Sequence, residues 1–505
     1  APEGLIGEEF EDATLITDGA SGATEFALAG LRFFGQSFFR QDGFLAVTDV
    51  AGEPLRAWSL GFEGSALVVA SAIRQSAVES DLLVLATTAQ TTPGDLREAV
   101  VLRIDELTGT PAYALRYTAS PDDNRWGMEV EGDEAVFAGA VRVEEGSDRE
   151  GLYVLFDQVS GLPIAHTRYQ PFASDQSDLR FNDVALFPGE GAVFATGAIE
   201  VMGKDGSQQG SKLVIARLDP GGGVGWIRAY NTFVDGEEFR DARGWSIAVT
   251  EDGNVAAVAR SSGDAGDGAL AVLVEPGAGA PLASNLIQGP GALRPAYASL
   301  DLQEGGRLIV SGTVAIAGET ERAVMWGMDP SSLSVDWFFI DDTGASVGND
   351  AIVQPGEGLV LAGATVPFDV PVFANEVDAL LVRTDREGAG PCGLDDPPGE
   401  RETTLEPIDV PVEVIQMPPP RPAEPEINAV EQRFDETCER ANDCLGDFDG
   451  DGDVDLGDFG VFGAAFNSML GDANYNPAAD FDMDGDVDLG DFGVFGAEFN
   501  RTDCL

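Results

Sequence analysis

The chain has 505 residues, with 88 acids against 29 bases and a single histidine, for a formal net charge of −59. Such a surface repels nucleic acid and anionic membranes, and it suits divalent cations or a saline medium that screens self-repulsion. At 44% hydrophobic residues there is ample material for a large domain and a small one, but no run approaches the roughly 18–20 apolar residues that span a bilayer. The opening "APEGLIGEEF" reads as a mature end left after removal of a signal segment. The four cysteines, Cys392, Cys438, Cys444 and Cys504, all fall after residue 390. An even count confined to one small portion, without a C-x-x-C pair, predicts disulfides and hence a secreted, extracellular or cell-surface protein.

Over residues 1–390 one apolar, β-prone run ending in a small residue recurs seven times: "FALAG" (26–30), "LVLAT" (83–87), "AVFAG" (135–139), "AVFAT" (192–196), "AAVAR" (256–260), "LIVSG" (308–312) and "LVLAG" (359–363). Each is followed by a second strand-like stretch closed by an acid: Asp49, Asp105, Asp157, Asp219, Glu275, Asp329 and Asp385. Glycine or proline behind several of these acids, as in "DPGGG" and "EPGAG", is turn chemistry joining two strands. A further strand follows six of the seven, and strands such as "FNDVALF" and "GWSIAV" precede several runs. Four strands per repeat and about 55 residues each predict an all-β fold, a seven-bladed β-propeller of four-stranded blades. The pattern resembles the broad class of secreted bacterial repeat propellers, a resemblance that implies a shape and no activity. The last repeat runs into "REGAGPCGLDDPP", poor strand material. Either the N-terminal segment supplies its missing outer strand, or that edge stays open to another chain.

Little in this region promises chemistry. The one histidine, His166 in "LPIAHTRYQ", reads as a half-exposed strand residue and leaves no Ser-His-Asp triad or multi-histidine metal site. Asp-box motifs are absent, and among 88 acids no glycosidase-type pair stands out. Trp126, Trp245, Trp337 and Tyr230 offer a sugar platform or, better, blade packing. The expectation is a chain without catalytic residues.

Residues 391–427 hold "PPPRP" (418–422) and read as an extended, polyproline-like spacer. Within them "LEPIDVPVEVIQM" (405–417) alternates β-branched residues with acids, which also suits a strand docked on a sheet edge of this molecule or a neighbour. Asn428 then reads as the N-cap of a short helix over 428–443, at the head of a small domain at 428–505.

That small domain contains the most specific motif. "DFDGDGDVDLGD" (447–458) and "DFDMDGDVDLGD" (480–491) place aspartates at positions 1, 3, 5, 7, 9 and 12, with glycine at 6. These are Asp447, Asp449, Asp451, Asp453, Asp455 and Asp458, then Asp480, Asp482, Asp484, Asp486, Asp488 and Asp491. The spacing is that of an EF-hand-type loop, which aims oxygens at one Ca²⁺, so two calcium ions are expected. Crowded carboxylates without a cation repel, coupling metal binding to folding. Each loop leads into one short helix with Phe459, Phe462 and Phe466, or Phe492, Phe495 and Phe499, spaced as an apolar face.

Paired loop–helix units of this kind, over about 444–504, resemble dockerin modules, calcium-dependent plugs that bind cohesin domains in extracellular assemblies. The resemblance implies that the aspartates above ligate calcium, Asp453 and its counterpart Asp486 through the backbone carbonyl. It places partner recognition at Leu456, Gly457, Leu489 and Gly490, where dockerins often carry Ser or Thr. That departure points to a different partner, another copy of this chain included, beside a cohesin-like domain. Because dockerin ends lie close together, it also implies a Cys444–Cys504 clasp, leaving Cys392 with Cys438. The function expected is a non-enzymatic structural or adhesive subunit of an extracellular fibre or surface complex. The alternative is a carbohydrate-binding or hydrolytic propeller carried by its dockerin to a polysaccharide-degrading complex.

Overall fold

The computed structural model describes residues 5–17, 23–34, 40–62, 65–77, 81–90, 97–120, 127–142, 147–172, 176–187, 191–202, 208–234, 237–238, 241–262, 267–288, 292–294, 299–303, 305–315, 321–341, 344–354, 358–367, 378–386, 388, 393–394, 399–430, 454, 456–469, 476, 479, 486–487, 491–492, 495–496 and 499. The chain divides into two compact units, 1–434 and 435–505.

The larger unit is built of successive antiparallel strand groups. They are β1 (Leu5–Thr17), β2 (Thr24–Phe34), β3 (Arg40–Asp49) and β4 (Pro54–Phe62); β5 (Ser65–Gln75), β6 (Leu82–Gln90), β7 (Arg97–Ile104) and β8 (Pro111–Ser120); and β9 (Met128–Glu131), β10 (Glu134–Val141), β11 (Glu150–Asp157) and β12 (Pro163–Pro171). Next come β13 (Gln176–Leu186), β14 (Val193–Met202), β15 (Gln208–Leu218) and β16 (Val224–Val234), with the short β17 (Glu237–Glu238) against β16. Then follow β18 (Asp241–Val249), β19 (Val255–Ser262), β20 (Gly268–Val274) and β21 (Pro281–Gln288); β22 (Ala292–Arg294), β23 (Leu300–Leu302), β24 (Leu308–Ala315), β25 (Glu321–Met328) and β26 (Val335–Asp341); and β27 (Gly344–Gln354), β28 (Gly358–Pro367) and β29 (Asp378–Thr384).

Counting β22 and β23, which both pair with β24, as one interrupted first strand, every repeated apolar run falls on the second strand of a group, the run at 192–196 starting one residue early, and every closing acid ends the third or stands just after it. Second and third strands are covered on both faces, which is why they read as continuous apolar runs instead of alternating ones. Leu82, Leu83, Val84, Leu85 and Ala86 of β6 are all fully buried. Outer strands such as β4, exposed on one face, alternate. The closing acids shape the following turns: the Asp329 carboxylate accepts the N–H groups of Ser331 and Ser332 at 3.1 and 2.8 Å, as Asp105 does for Leu107 and Thr108.

Each group packs on the next through an apolar cluster, and the last packs on the first: Phe10, Phe26 and Phe44 share a core with Ile352, Val360 and Ala362. A second link recurs at the rim. The hydroxyl of Tyr169 donates to Gly222 O at 3.0 Å and that of Tyr230 to Gly279 O at 2.9 Å, while Tyr117 donates to Gly161 O. These acceptors sit in turns at φ of 66° to 79°, where glycine is the unstrained residue. In the next group Leu333, at φ 59°, takes that place and accepts from Asn285 Nδ2 at 2.9 Å.

Two expectations need correction. The N-terminal strand β1 pairs with β2 as the first strand of its own group and supplies no outer strand to the last. Among the described residues β29 pairs with β28 alone. And Asn428 caps no helix: it pairs with Ser59 as part of a strand, because the β4 edge offers unpaired backbone groups and Ile427 packs into the core beneath.

That strand belongs to a belt running through the proline-rich stretch. β30 (Gly393–Leu394) pairs with β26; β31 (Gly399–Asp409) with β21 and then β16; β32 (Val412–Gln416) with β12; β33 (Arg421–Pro422) with β8; and β34 (Pro425–Ala429) with β4. The pairing is antiparallel throughout and visits the outer strands in reverse chain order. The N–H groups of Val410, Met417, Ala423 and Val430 donate to Ile227, His166, Ala114 and Ala57, each the fourth residue of its outer strand. Leu405, Val410, Met417, Ala423 and Val430 press into successive core clusters.

The smaller unit holds α1 (Leu456–Ala465) and helical residues at 491–492 and 495–496. After α1, β35 (Ser468–Met469) pairs with β36 (Asp486–Val487), and the Asn467 N–H donates to Val487 O at 2.6 Å.

Candidate functional site

Two places gather the residues that chemistry would use. The first is a cavity of about 370 Å³ lined by the first strands of the groups, among them β1, β5, β9, β13, β18, β23 and β27. Register shifts in β1, β5, β13, β18 and β27 put an extra residue at one level of these strands, and the residue just past each shift faces the next group. Asp12 Oδ2 accepts the Ile73 N–H at 2.6 Å, Asp183 Oδ2 the Ile247 N–H at 3.0 Å, and Asp350 Oδ2 the Ala13 N–H at 2.9 Å. Ser246 Oγ accepts from Leu300 N–H at 3.1 Å and Ser299 Oγ from Ala351 N–H at 2.8 Å. At the equivalent level of β5 and β9 stand Ala72 and Met128, which have no such oxygen. There Arg74 bridges instead, to Asp12 at 2.6 Å and to Glu129 at 3.1 Å. Asp301 Oδ2 adds a bond from Val353 N–H at 3.2 Å.

Burial governs the protonation of these acids. It pushes Asp183 up to about 7 against the Ser246 hydroxyl and the Ile247 and Val184 N–H groups, which pull it down. It raises Asp301 and Glu129 as well, the latter opposed by Arg74, and lifts Asp350 well above the usual carboxylate range, with Asp12 adding to the effect. Burial works to lower Arg74, but Asp12 and Glu129 outweigh it and hold the guanidinium charged. Turn acids at the rim go the other way: Asp329, exposed and bonded first by the Ser331 hydroxyl, falls to about 2. The same residue type therefore does two jobs. At the cavity Asp12, Asp183, Asp301 and Asp350 each give one carboxylate oxygen to a backbone N–H of the next group, which makes them latches between groups, while Glu129 pairs with Arg74. Trp245 lines this cavity half-buried, Trp337 packs half-buried against a core cluster, and Tyr230 is fully buried; Trp126 lies outside the described residues.

His166 is not the half-exposed residue its strand pattern predicts. It is 4% exposed, its ring stands edge-on to Tyr117 at 5.4 Å, and Nδ1 contacts the Pro418 carbonyl at 2.8 Å. The belt covers it, which the sequence around residue 166 cannot reveal. Burial lowers its pKa to about 4, the Pro418 contact opposing.

The second place is the smaller unit. Of the twelve loop aspartates, Asp458 and Asp491 are described in full, and both are completely buried. Asp458 stands in the first turn of α1, where the helix dipole favours an anion. Asp486 contributes its backbone to β36, and Leu456 opens α1, with Gly457 exposed behind it. Asp447, Asp449, Asp451, Asp453, Asp455, Asp480, Asp482, Asp484, Asp488, Leu489, Gly490 and the four cysteines lie outside the described residues.

The core of this unit comprises Val454, Phe462, Ala465, Ala479, Val487 and Phe495. Val454 and Val487 occupy position 8 of the two loops, so each loop sends one apolar residue inward. Only the middle phenylalanine of each trio is buried: Phe462 and Phe495 stack at 5.0 Å, 16° from parallel. The flanking rings obey a pseudo-twofold axis. Phe459–Phe499 lie 6.4 Å apart at 75° and Phe466–Phe492 6.4 Å apart at 72°; Phe459–Phe495 and Phe462–Phe492 match at 6.1 and 6.0 Å. Phe459, Phe466, Phe492 and Phe499 remain between 38% and 43% exposed. The i, i+3, i+7 spacing alone does not show this, because the packing of the two phenylalanine trios covers only their centre.

No family model matches the chain, and no curated protein matches it. Two crystal structures of Sqt1 from Chaetomium thermophilum are similar at 12% and 9% identity, with TM-scores of 0.35 and 0.37; each likeness covers 76% of this chain and 96% or 98% of theirs. A protein of unknown function from Bacteroides caccae aligns at 11% identity and TM-score 0.20, over 51% of this chain and 93% of that one. Likeness at these scores carries no argument about activity.

Proposed function

We propose that this chain is a non-enzymatic, secreted structural subunit: a seven-bladed β-propeller bearing a calcium-stiffened, dockerin-like plug that docks into an extracellular fibre or surface complex. The observation that carries the reading is the smaller unit's internal symmetry. Two loops of calcium-site spacing each bury their position-12 aspartate at a helical residue, and four half-exposed phenylalanines are arranged around one pseudo-twofold axis. Six acids at alternating positions of each loop, with glycine at position 6, are the ligand spacing of a calcium site. The donor set is all oxygen, which suits Ca²⁺, held by Asp447, Asp449, Asp451, Asp455 and Asp458 with Asp453, and by the matching six in the second loop. Calcium would fix the loops; the chain's own phenylalanines would meet the partner, either another copy or a cohesin-like domain.

The propeller reading is supported by the core shared between the last strand group and the first, by the Asp350–Ala13 bond, and by the belt. Belt donors at 410, 417, 423 and 430 advance six or seven residues per group. At about 3.3 Å per residue that is about 20–23 Å, so seven groups would give a ring of radius about 25 Å. Outer strands spaced evenly around a ring are what a belt of constant step requires. Within the cavity Asp12, Asp183, Asp301 and Asp350 serve as latches and Glu129 pairs with Arg74, which favours a structural propeller over a hydrolytic one.

Negative-stain microscopy of the purified chain in millimolar calcium, then in excess chelator, tests the proposal. Oligomers or filaments that vanish with chelator are expected. Single particles in both conditions would leave self-assembly without support and redirect the search to a cohesin-like partner.

A further inference from the structure

Backbone parity decides which side of the belt faces away from the molecule. Val410, Ala423 and Val430 turn their N–H groups toward the outer strands. Successive residues of an antiparallel strand direct their N–H groups to opposite sides. Residues an odd number of places away along the same stretch therefore direct theirs outward. Pro407 is three places before Val410, Pro422 one before Ala423 and Pro425 five before Val430. Each is a proline, with no N–H to present. Between them the exposed side chains of Glu406, Asp409, Glu413, Glu424 and Glu426 line the belt with negative charge.

Without the belt, β4, β8, β12, β16 and β21 would each end a sheet with a row of unpaired N–H and C=O groups, the template on which a second chain adds. Their flanks are apolar: Leu55, Ile164 and Leu282 are about half exposed even with the belt in place. The belt takes up these ladders and puts in their place an edge interrupted by proline and lined by carboxylates. Proline at an outward position removes no bond to the outer strand, so the substitution is tolerated by the fold.

We propose that residues 399–430 act as an edge guard, whose function is to stop further copies of this chain from adding edge to edge. The guard is separate from any assembly through the C-terminal unit, and it does not depend on calcium.

The test compares three forms of the full chain by sedimentation velocity over a concentration series and by thioflavin T binding, in calcium and in chelator. One is the parent. The second carries Pro407→Thr, Pro422→Thr, Pro425→Thr, Glu406→Thr, Glu424→Thr and Glu426→Thr. The third is a charge control, Glu131→Thr, Glu251→Thr and Asp252→Thr, exposed acids away from the belt. The belt variant is expected to form growing, thioflavin-positive oligomers in both media, with a signal about tenfold above the control. Equal behaviour of belt variant and parent, with matching melting temperatures, would overturn the guard; so would equal association of the charge control. Should the six-site variant melt lower than the parent, Pro422→Thr with Pro425→Thr alone is judged by the same two criteria. Assembly lost in chelator by all three forms alike would belong to the C-terminal unit and also count against the guard.

Discussion

Asp350 is the latch between the last strand group and the first, and its removal has a cost that can be worked out from its partners. Its Oδ2 accepts the buried Ala13 N–H at 2.9 Å, and its Oδ1 accepts its own group's Ala351 N–H at 2.9 Å. Ala351 keeps a second acceptor in Ser299 Oγ at 2.8 Å, so Asp350→Ala deprives mainly Ala13. A buried donor left without its acceptor costs about 1–3 kcal/mol. The acid also carries a penalty of its own, since burial beside Asp12 lifts its pKa well above the usual range. For an acid whose folded pKa is raised, the stabilising contribution is present at low pH and fades as pH climbs through the folded value. Asp350→Ala should therefore lose about 1–3 kcal/mol at pH 5 and less at pH 8. Asp350→Asn keeps an oxygen for Ala13 and should lose under about 1 kcal/mol at either pH. Urea unfolding gives the energies, and hydrogen exchange of the peptide spanning residues 10–17 gives the location. An alanine variant with parental stability at pH 5 and parental protection of that peptide would refute the latch.

Two further pH effects have opposite signs. Asp183, raised to about 7, favours the fold below the ordinary carboxylate range and withdraws that support as pH rises from about 4 to 7, at most about 4 kcal/mol; Asp183→Asn should flatten this slope in thermal melts. His166, lowered to about 4, works against the fold as pH falls from about 6.5 to 4, by no more than about 3 kcal/mol. His166→Gln should remove that loss, and exchange at residues 412–418 should show it as loosening of the belt at acid pH in the parent alone. In the smaller unit Phe462→Ala removes a fully buried ring stacked on Phe495 and should cost about 3–5 kcal/mol of that unit's stability. Phe459→Ala, 43% exposed, should leave that melting nearly unchanged in calorimetry while weakening assembly.

The repeats were legible because a strand covered on both faces has to be apolar throughout. "LVLAT" and "AVFAG" announce themselves without any alternation, and the acid that closes the next strand marks the turn. The latches left a fainter trace. Phe10-Glu11-Asp12-Ala13, Phe181-Asn182-Asp183-Val184 and Gly348-Asn349-Asp350-Ala351 share an amide or acid, then aspartate, then a small apolar residue. Yet Ser246 and Ser299 make the same bond with a hydroxyl, and Arg74 spans the place where Ala72 and Met128 cannot. What the position demands is an acceptor oxygen at a fixed height, and several side chains supply one. The acid-rich loops stand out in the sequence for the converse reason, since a metal site of the proposed kind would fix both ligand type and spacing. Even so, the sequence pattern overstates the helices: it marks three phenylalanines on each, and geometry buries one.

The belt was the hardest element to read, and the reason lies in how it is held. A strand bound through its main chain needs little from its side chains, so composition reports only the prolines and acids on its free side, which look like a spacer. Beside the alternation of β-branched residues with acids over 405–417, there is one further signal, a spacing. Val410, Met417, Ala423 and Val430 stand six or seven residues apart, and each presses into a different core cluster. Such a period matches neither a helix nor a lone strand; it is the distance from one outer strand to the next, imposed on the tail by the repeats it crosses. The two halves of the belt's chemistry follow from that one placement: a small or apolar residue wherever a core cluster opens, and a proline or an acid where the edge meets water. A plain tether would need no residue that presses into a core cluster, and a strand serving only as packing would need no proline or acid on its free side.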